Sequence, residues 1–125
     1  MCQRAFGNVF ATYVNVKKAD VVWETAPDWY GSSKIARRPF CSTCGTPLGF
    51  EYLESQRMDL AVGALDQPEL LKPVMHVGVE SRIESFHSHG PLEEKRIADF
   101  ENIVKKWKAA YGDDVVPGAD AARKK

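Results

Sequence analysis

Nowhere among the 125 residues is there an apolar run that approaches the roughly 18 needed to cross a bilayer. Surplus charge is missing as well: 17 Lys and Arg stand against 17 Asp and Glu, and the pI is near 6.8. A neutral chain has no field to draw it onto phosphate backbones, so no nucleic acid is expected as main partner. Cysteine is scarce. Three thiols are an odd number, which excludes a full disulfide framework; in a reducing compartment such thiols bind metal, do catalysis or sit buried. The opening MCQRAFGNVF does not have the order of charged, apolar and small residues of a secretory signal, so the expected location is cytoplasmic, with no membrane partner. Internal repeats and low-complexity linkers are absent too.

What remains is an ordinary globular composition, 44% hydrophobic and 27% charged, with a length that predicts one domain. From Phe6 to Trp23 the chain is rich in β-branched and aromatic residues. Phe10, Thr12, Val14 and Val16 share one parity, Ala11, Tyr13 and Asn15 the other, which predicts a strand followed by a turn at Lys17–Asp20 and a second strand through ADVVWE. Further strands are expected at Asp28–Ser33, Leu48–Leu53, Met58–Leu65 and Val74–Ser81. After Pro91 the period changes: Ile97, Phe100, Val104, Trp107 and Tyr111 step by three and four, the stripe of one amphipathic helix over about 91–111, with Gly112 as its stop. The expected organisation is a mainly β domain over 1–112, closed by that C-terminal helix, and a flexible tail over 113–125.

One segment carries chemistry on its face: RRPFCSTCGTPL, Arg37 to Leu48. Two residues between Cys41 and Cys44 let both sulfurs converge on one ion from a tight turn, and Gly45 supplies the backbone conformation such a turn needs. This is the spacing expected of half a zinc site. A redox dithiol and a pair of inert buried thiols are the competing readings; the first wants a helix starting at the first thiol, and Thr46-Pro47 followed by a strand pattern gives none. The other metal-capable residues are Cys2, His76, His87 and His89, and no spacing among them makes a recognisable second pair.

Taken in order, CQRAFG from Cys2, FATYVNV, ARRPFCSTCGTPLGFEY, MDLAVGALDQPE and HVGVESR resemble the glutathione-dependent formaldehyde-activating (GFA) family, which includes centromere protein V. The resemblance runs from Cys2 to about Phe86. It implies twisted antiparallel sheets around a zinc-knuckle turn. It also implies the family's thiol motifs: a CxC near the amino terminus, then a CxCxxC, then a CxxC. The CxC and CxxC close a four-thiolate structural zinc site, and the CxCxxC forms a three-thiolate site with an open position. Cys41 and Cys44 match the last pair, and Cys2 matches the last thiol of the CxCxxC; the other thiols would lie ahead of Met1. The chain therefore resembles a member truncated at its amino terminus, with zinc coordination incomplete from its own thiols and an exposed sheet edge that a homodimer would cover.

The activity implied is that of a carbon–sulfur lyase, S-(hydroxymethyl)glutathione synthase: zinc-assisted addition of a thiol such as glutathione to formaldehyde or a similar small carbonyl. On this reading Cys2 is the remaining ligand of the open catalytic site, and Arg4 and Arg82 are candidates to hold the carboxylates of the thiol substrate. The alternatives are a non-catalytic zinc-binding or interaction domain, and a metal-free fold held by its apolar core.

Overall fold

The computed structural model describes residues 1–86 and 92–113, so His87, His89 and the tail from residue 114 lie outside the described residues. The chain divides into two units, Met1–Leu71 and Lys72–Lys125.

In the first unit a five-residue helix α1 (Cys2–Phe6) precedes strands β1 (Tyr13–Lys17), β2 (Asp28–Ser33), β3 (Ala36–Phe40), β4 (Gly49–Tyr52) and β5 (Arg57–Ala61). They form one antiparallel sheet in the order β1-β5-β4-β3-β2. Side chains alternate across a pleated sheet, so the register sorts them into two faces. Tyr13 opposite Ala61, Phe50 opposite Asp59, and Tyr30 opposite Arg38 share one face. Val14 opposite Leu60, Val16 opposite Met58, Glu51 opposite Arg37, and Trp29 opposite Pro39 share the other. Ala36, Met58, Ala61 and Pro39 are buried, and two charged residues, Arg38 and Glu51, are buried with them. Gly49 marks a close approach of strands: a Cβ there would collide with the backbone carbonyl oxygen of Asp59.

The expected strand through ADVVWE is replaced by a 3-10 turn at Lys18–Asp20 and irregular chain. Lys18 explains it. Its ammonium reaches Glu51 at 2.9 Å and donates to the carbonyls of Tyr52 and Leu53 at 3.2 and 3.4 Å, which ties the end of β1 to the β4 turn. The strand β3, by contrast, was not signalled by its own residues. A proline suits strand edges, yet Pro39 lies in an inner strand; it is tolerated because the β3–β4 register covers only Ala36 and Arg37.

The second unit holds β6 (Met75–Val77), β7 (Glu93–Lys95) and α2 (Glu101–Tyr111). β6 and β7 pair in parallel, a departure from the expected all-antiparallel arrangement. The helix expected over about 91–111 is shorter. Glu93–Lys95 are drawn into β7, and Ile97–Asp99 form a separate 3-10 turn, where the Asp99 carboxylate accepts from the Arg96 N–H at 2.9 Å. Phe100 is extended (φ −104, ψ 92) and only then does α2 begin. Within α2, Trp107 and Tyr111 stack with centroids 4.8 Å apart, as their i,i+4 spacing allows. Among the described residues no helix is long and apolar enough to cross a membrane. The protein is mainly β, with an antiparallel sheet and one C-terminal helix.

Candidate functional site

Arg37 and Arg38 are neighbours on β3 and therefore point to opposite faces. Arg37 lies over the Trp29 ring, 3.9 Å from its centroid, and its Nε donates to Glu51 at 2.6 Å. Arg38, only 7% exposed, turns the other way. Its Nη1 donates to the Tyr13 hydroxyl at 3.1 Å, its Nη2 approaches Cys2 Sγ at 3.4 Å, and its guanidinium sits 4.9 Å from the centroid of Phe50.

Cys2 reaches this cluster because α1 is folded back on the sheet. Gly7 ends the helix in the left-handed conformation (φ 57), Gln3 Nε2 donates to the Val9 carbonyl at 3.0 Å, and Phe6 meets Tyr13 edge to face at 5.4 Å. The electrostatics follow. Burial, and then the proximity of Cys2, push the Tyr13 phenol up against the downward pull of Arg38, so Tyr13 keeps its proton. Burial alone would lower Arg38, but its contacts with Cys2 and Tyr13 outweigh it and hold the guanidinium charged. Arg38 Nε is buried without a protein partner. An orphaned donor of this kind costs about 1–3 kcal/mol until something accepts from it.

Arg38 also lines a cleft of about 170 Å³ with Ala5, Tyr30, Pro39, Phe40, Gly45, Pro47 and Gly49. A larger open groove of about 470 Å³ runs past Asn15, Lys17, Asp20 and Arg57; no thiol lines either cleft. The smaller cleft reaches from Arg38 to Gly45 and Pro47 of the thiol turn.

That turn grows from the end of β3. Phe40 bridges to Pro47, the Cys41 N–H donates to the Thr46 carbonyl at 2.9 Å, and the Gly45 N–H donates to the Cys41 carbonyl at 2.7 Å. Gly45 has φ +75, a conformation glycine adopts without a Cβ penalty. Cys41 is half-buried and Cys44 exposed. Cys44 Sγ and Thr46 Oγ1 share a hydrogen bond of 2.9 Å. That contact first, then hydrogen bonds from the Thr46 backbone and the Cys41 side chain, hold the Cys44 thiol below its ordinary value.

The resemblance to GFA proteins implies zinc, and the donor set can be tested against it. Cys41 and Cys44 occupy one turn, while Cys2 faces a guanidinium, a neighbour that repels a metal cation. Among the described residues no group of three or more His, Cys, Asp and Glu converges on a metal position. These residues do not form a four-coordinate zinc cage, and no chemical step is routed through one here.

The remaining candidates fall elsewhere. Arg4 is exposed on α1, two residues from Cys2 and so about 200° around the helix from it. Arg82, in the second unit, donates to Glu84 at 2.6 Å and to Glu94 at 2.5 Å. The Glu84 bond and then, against a small burial penalty, Glu94 raise its pKa, so its donors already serve two carboxylates. Sequence reasoning missed Arg38 and Tyr13. The signal was there: had ARRPF been taken as a strand, its parity would have set Arg38 beside Phe40, on the face that holds Tyr13.

A family model described as "Glutathione-dependent formaldehyde-activating enzyme" matches residues 1–81, which takes in the whole first unit and β6. No curated protein and no solved structure matches the chain.

Proposed function

Because the chain belongs to the glutathione-dependent formaldehyde-activating enzyme family, we propose that it is a carbon–sulfur lyase of the family's general type. It would join a small thiol such as glutathione to formaldehyde or a similar small carbonyl, or run the reverse. In the forward direction the thiol sulfur attacks the carbonyl carbon and a C–S bond forms. The π pair moves onto oxygen, which takes a proton, and the thiol's own proton is released. The cleft beside Arg38 sets the scale of what enters: about 170 Å³ accommodates a small carbonyl or one end of a thiol peptide, whereas whole ligands of drug size occupy about 300–1,000 Å³.

The observation that carries this reading is the convergence of Cys2, Tyr13 and a buried, charged Arg38 within the matched segment. Arg38 supplies positive charge where oxygen gains negative charge, and in a water-poor site this is worth more than in bulk. Tyr13 keeps its proton and is hydrogen-bonded to the same guanidinium; on this reading it would give that proton to the nascent alkoxide. Zinc, where the family's full donor set is present, would supply thiol activation. In this chain the reading is limited to what Arg38, Tyr13 and Cys2 do. A reducing compartment such as the cytoplasm suits a protein whose three cysteines are all free.

The test is two-dimensional exchange NMR of glutathione with formaldehyde. The protein accelerates interconversion of the free thiol and the S-hydroxymethyl adduct, and Arg38→Met lowers that acceleration while circular dichroism stays unchanged. An exchange rate identical with and without protein refutes the proposal. A second reading, a non-catalytic zinc-binding or interaction domain, is favoured by the divided thiols. It requires thiolate-bound zinc with no acceleration in the same NMR experiment.

A further inference from the structure

Arg38 is a full positive charge placed where water barely reaches it, at 7% exposure. Its hydrogen-bond partners are a phenol and a thiol, Tyr13 at 3.1 Å and Cys2 at 3.4 Å, and the Phe50 ring lies 4.9 Å from the guanidinium. Among the described residues no Asp or Glu pairs with it. Its neighbour Arg37 differs in this respect, since it shares the Glu51 carboxylate with Lys18. A buried cation without a counter-charge is costly, and a buried N–H without an acceptor adds to the cost; Arg38 Nε is such a group. One anion with an oxygen acceptor would relieve both.

The cleft of about 170 Å³ that Arg38 lines suits a small anion. Among the described residues of its wall Arg38 alone is charged, so no acidic side chain competes there for the guanidinium. Tyr30, opposite Arg38 on β2 and 57% exposed, is the other side chain of the wall with a hydrogen-bonding group; the rest is proline, phenylalanine, alanine and glycine. A carboxylate meets a guanidinium through parallel N–H donors, a geometry that takes up a free Nε together with a terminal nitrogen. Which substrate brings the carboxylate follows from size and position. Glutathione exceeds this volume, and its carboxylates lie several bonds from its sulfur. An anion held at Arg38 lies beside Tyr13 and Cys2, at the reacting end of the ligand. That places it on the carbonyl compound, next to the carbon under attack.

Resting on the reaction proposed above, we propose that its carbonyl substrate is a small aldehyde acid, with a carboxylate on the carbon next to the aldehyde as in glyoxylate, and that Arg38 binds that carboxylate. The step balances without a further reactant. A C–S bond forms, the π pair of the aldehyde moves onto its oxygen, that oxygen takes a proton, the thiol's own proton is released, and the carboxylate is unchanged. The alkoxide forms one carbon away from an existing negative group, and like charges so close repel. A guanidinium beside both offsets the repulsion as it develops. Formaldehyde, with one oxygen and no standing charge, draws less on the same cation.

The experiment uses the 125-residue chain and reads binding and rate separately. In isotope-labelled protein, glycolate, an unreactive carboxylate of the same size, should shift the Arg38 Nε–H resonance, whereas uncharged ethylene glycol should leave it in place. In exchange NMR with glutathione, the acceleration over the uncatalysed rate should be about tenfold larger for glyoxylate than for formaldehyde, the scale of one charge-assisted hydrogen bond. Mercaptoethanol, a thiol with no carboxylate, should preserve that preference. Arg38→Met should erase the preference, and Ala5→Leu, which fills the cleft from α1, should abolish the glycolate shift. Equal acceleration of the two carbonyls overturns this inference and leaves the proposed reaction standing; acceleration of neither overturns both. A preference lost with mercaptoethanol would assign the carboxylate to the thiol, and an Nε–H resonance indifferent to glycolate would remove the site, so either overturns the inference. If Arg38→Met fails to fold, Ala5→Leu and the glycolate titration of the unaltered chain still decide the matter.

Discussion

Replacing Glu51 by glutamine removes one negative charge from the central strand of the five-stranded sheet and leaves the side-chain volume almost unchanged. The carboxylate is 3% exposed and is held by Lys18 at 2.9 Å and Arg37 at 2.6 Å. At an effective dielectric constant near 20, each such pair is worth about 4 kcal/mol at 4 Å, so the gross attraction is about 8 kcal/mol. Desolvating the carboxylate offsets several kcal/mol of this, and breaking a buried pair from one side costs about 3–5 kcal/mol net. Lys18 and Arg37 are 26% and 42% exposed and can turn toward water, which puts Glu51→Gln at the lower end, about 3 kcal/mol. For a chain of this length that lowers Tm by about 12 °C, at roughly 4 °C per kcal/mol. Lys18→Met should cost only about 1 kcal/mol, since Arg37 still neutralises the carboxylate. The assay is urea unfolding of both single variants and the double variant, followed by circular dichroism and by the fluorescence of Trp29 beneath Arg37. A coupling energy of about 1–2 kcal/mol is expected between positions 18 and 51; additivity within about 0.5 kcal/mol would refute the ion-pair account.

Gly49→Ala drives a methyl into the Asp59 carbonyl oxygen, with Leu60 Cα 3.5 Å away, and so forces β4 from β5. A loss of about 3 kcal/mol in urea unfolding is expected. Burial raises the Asp59 carboxyl, against the opposing hydrogen bond from Asn15 and the charge of Arg57. A group whose folded pKa is raised stabilises fully below its unfolded pKa of about 3.9 and loses that contribution as pH rises through the folded value. Asp59→Asn should therefore gain stability relative to the parent at pH 7 and little at pH 3, read from Tm across that range. In metal-free protein, Thr46→Val removes the strongest influence that lowers Cys44. The inflection of the Cys44 alkylation rate with pH should then move upward; an unmoved inflection would exclude the Thr46 hydroxyl as the cause.

Strands with one dominant parity were legible from sequence. Asp28–Ser33 is β2 to the residue, and β4 and β5 lie within LGFEYL and at the start of the segment from Met58, apart from the leading Arg57. The failures have physical causes. Two arginines and a proline hide β3, since each is unusual in an inner strand and only the Tyr13, Cys2 and Glu51 contacts make the charges acceptable there. The helical stripe from Ile97 to Tyr111 was real in period but interrupted in backbone, because the Asp99 side chain closes a local turn that periodicity does not register. The positive φ of Gly45 was legible from its residue type beside the two thiols. The Arg38 cluster was not, because its members are 36 and 25 residues from Arg38 in sequence.

The placement of Cys2 on a helix of five residues has a consequence for its chemistry. So short a helix has no stability of its own; the Cys2–Arg38 contact and the Phe6–Tyr13 edge tie it to the sheet, and the Gln3–Val9 hydrogen bond ties it to the chain that follows. Fraying of that single turn would swing the sulfur out to solvent at a small fraction of the free energy that unfolds the strands. The thiol is thus mounted on a latch and Arg38 on the door frame: unwinding of α1 would part them while the five-stranded sheet stays paired.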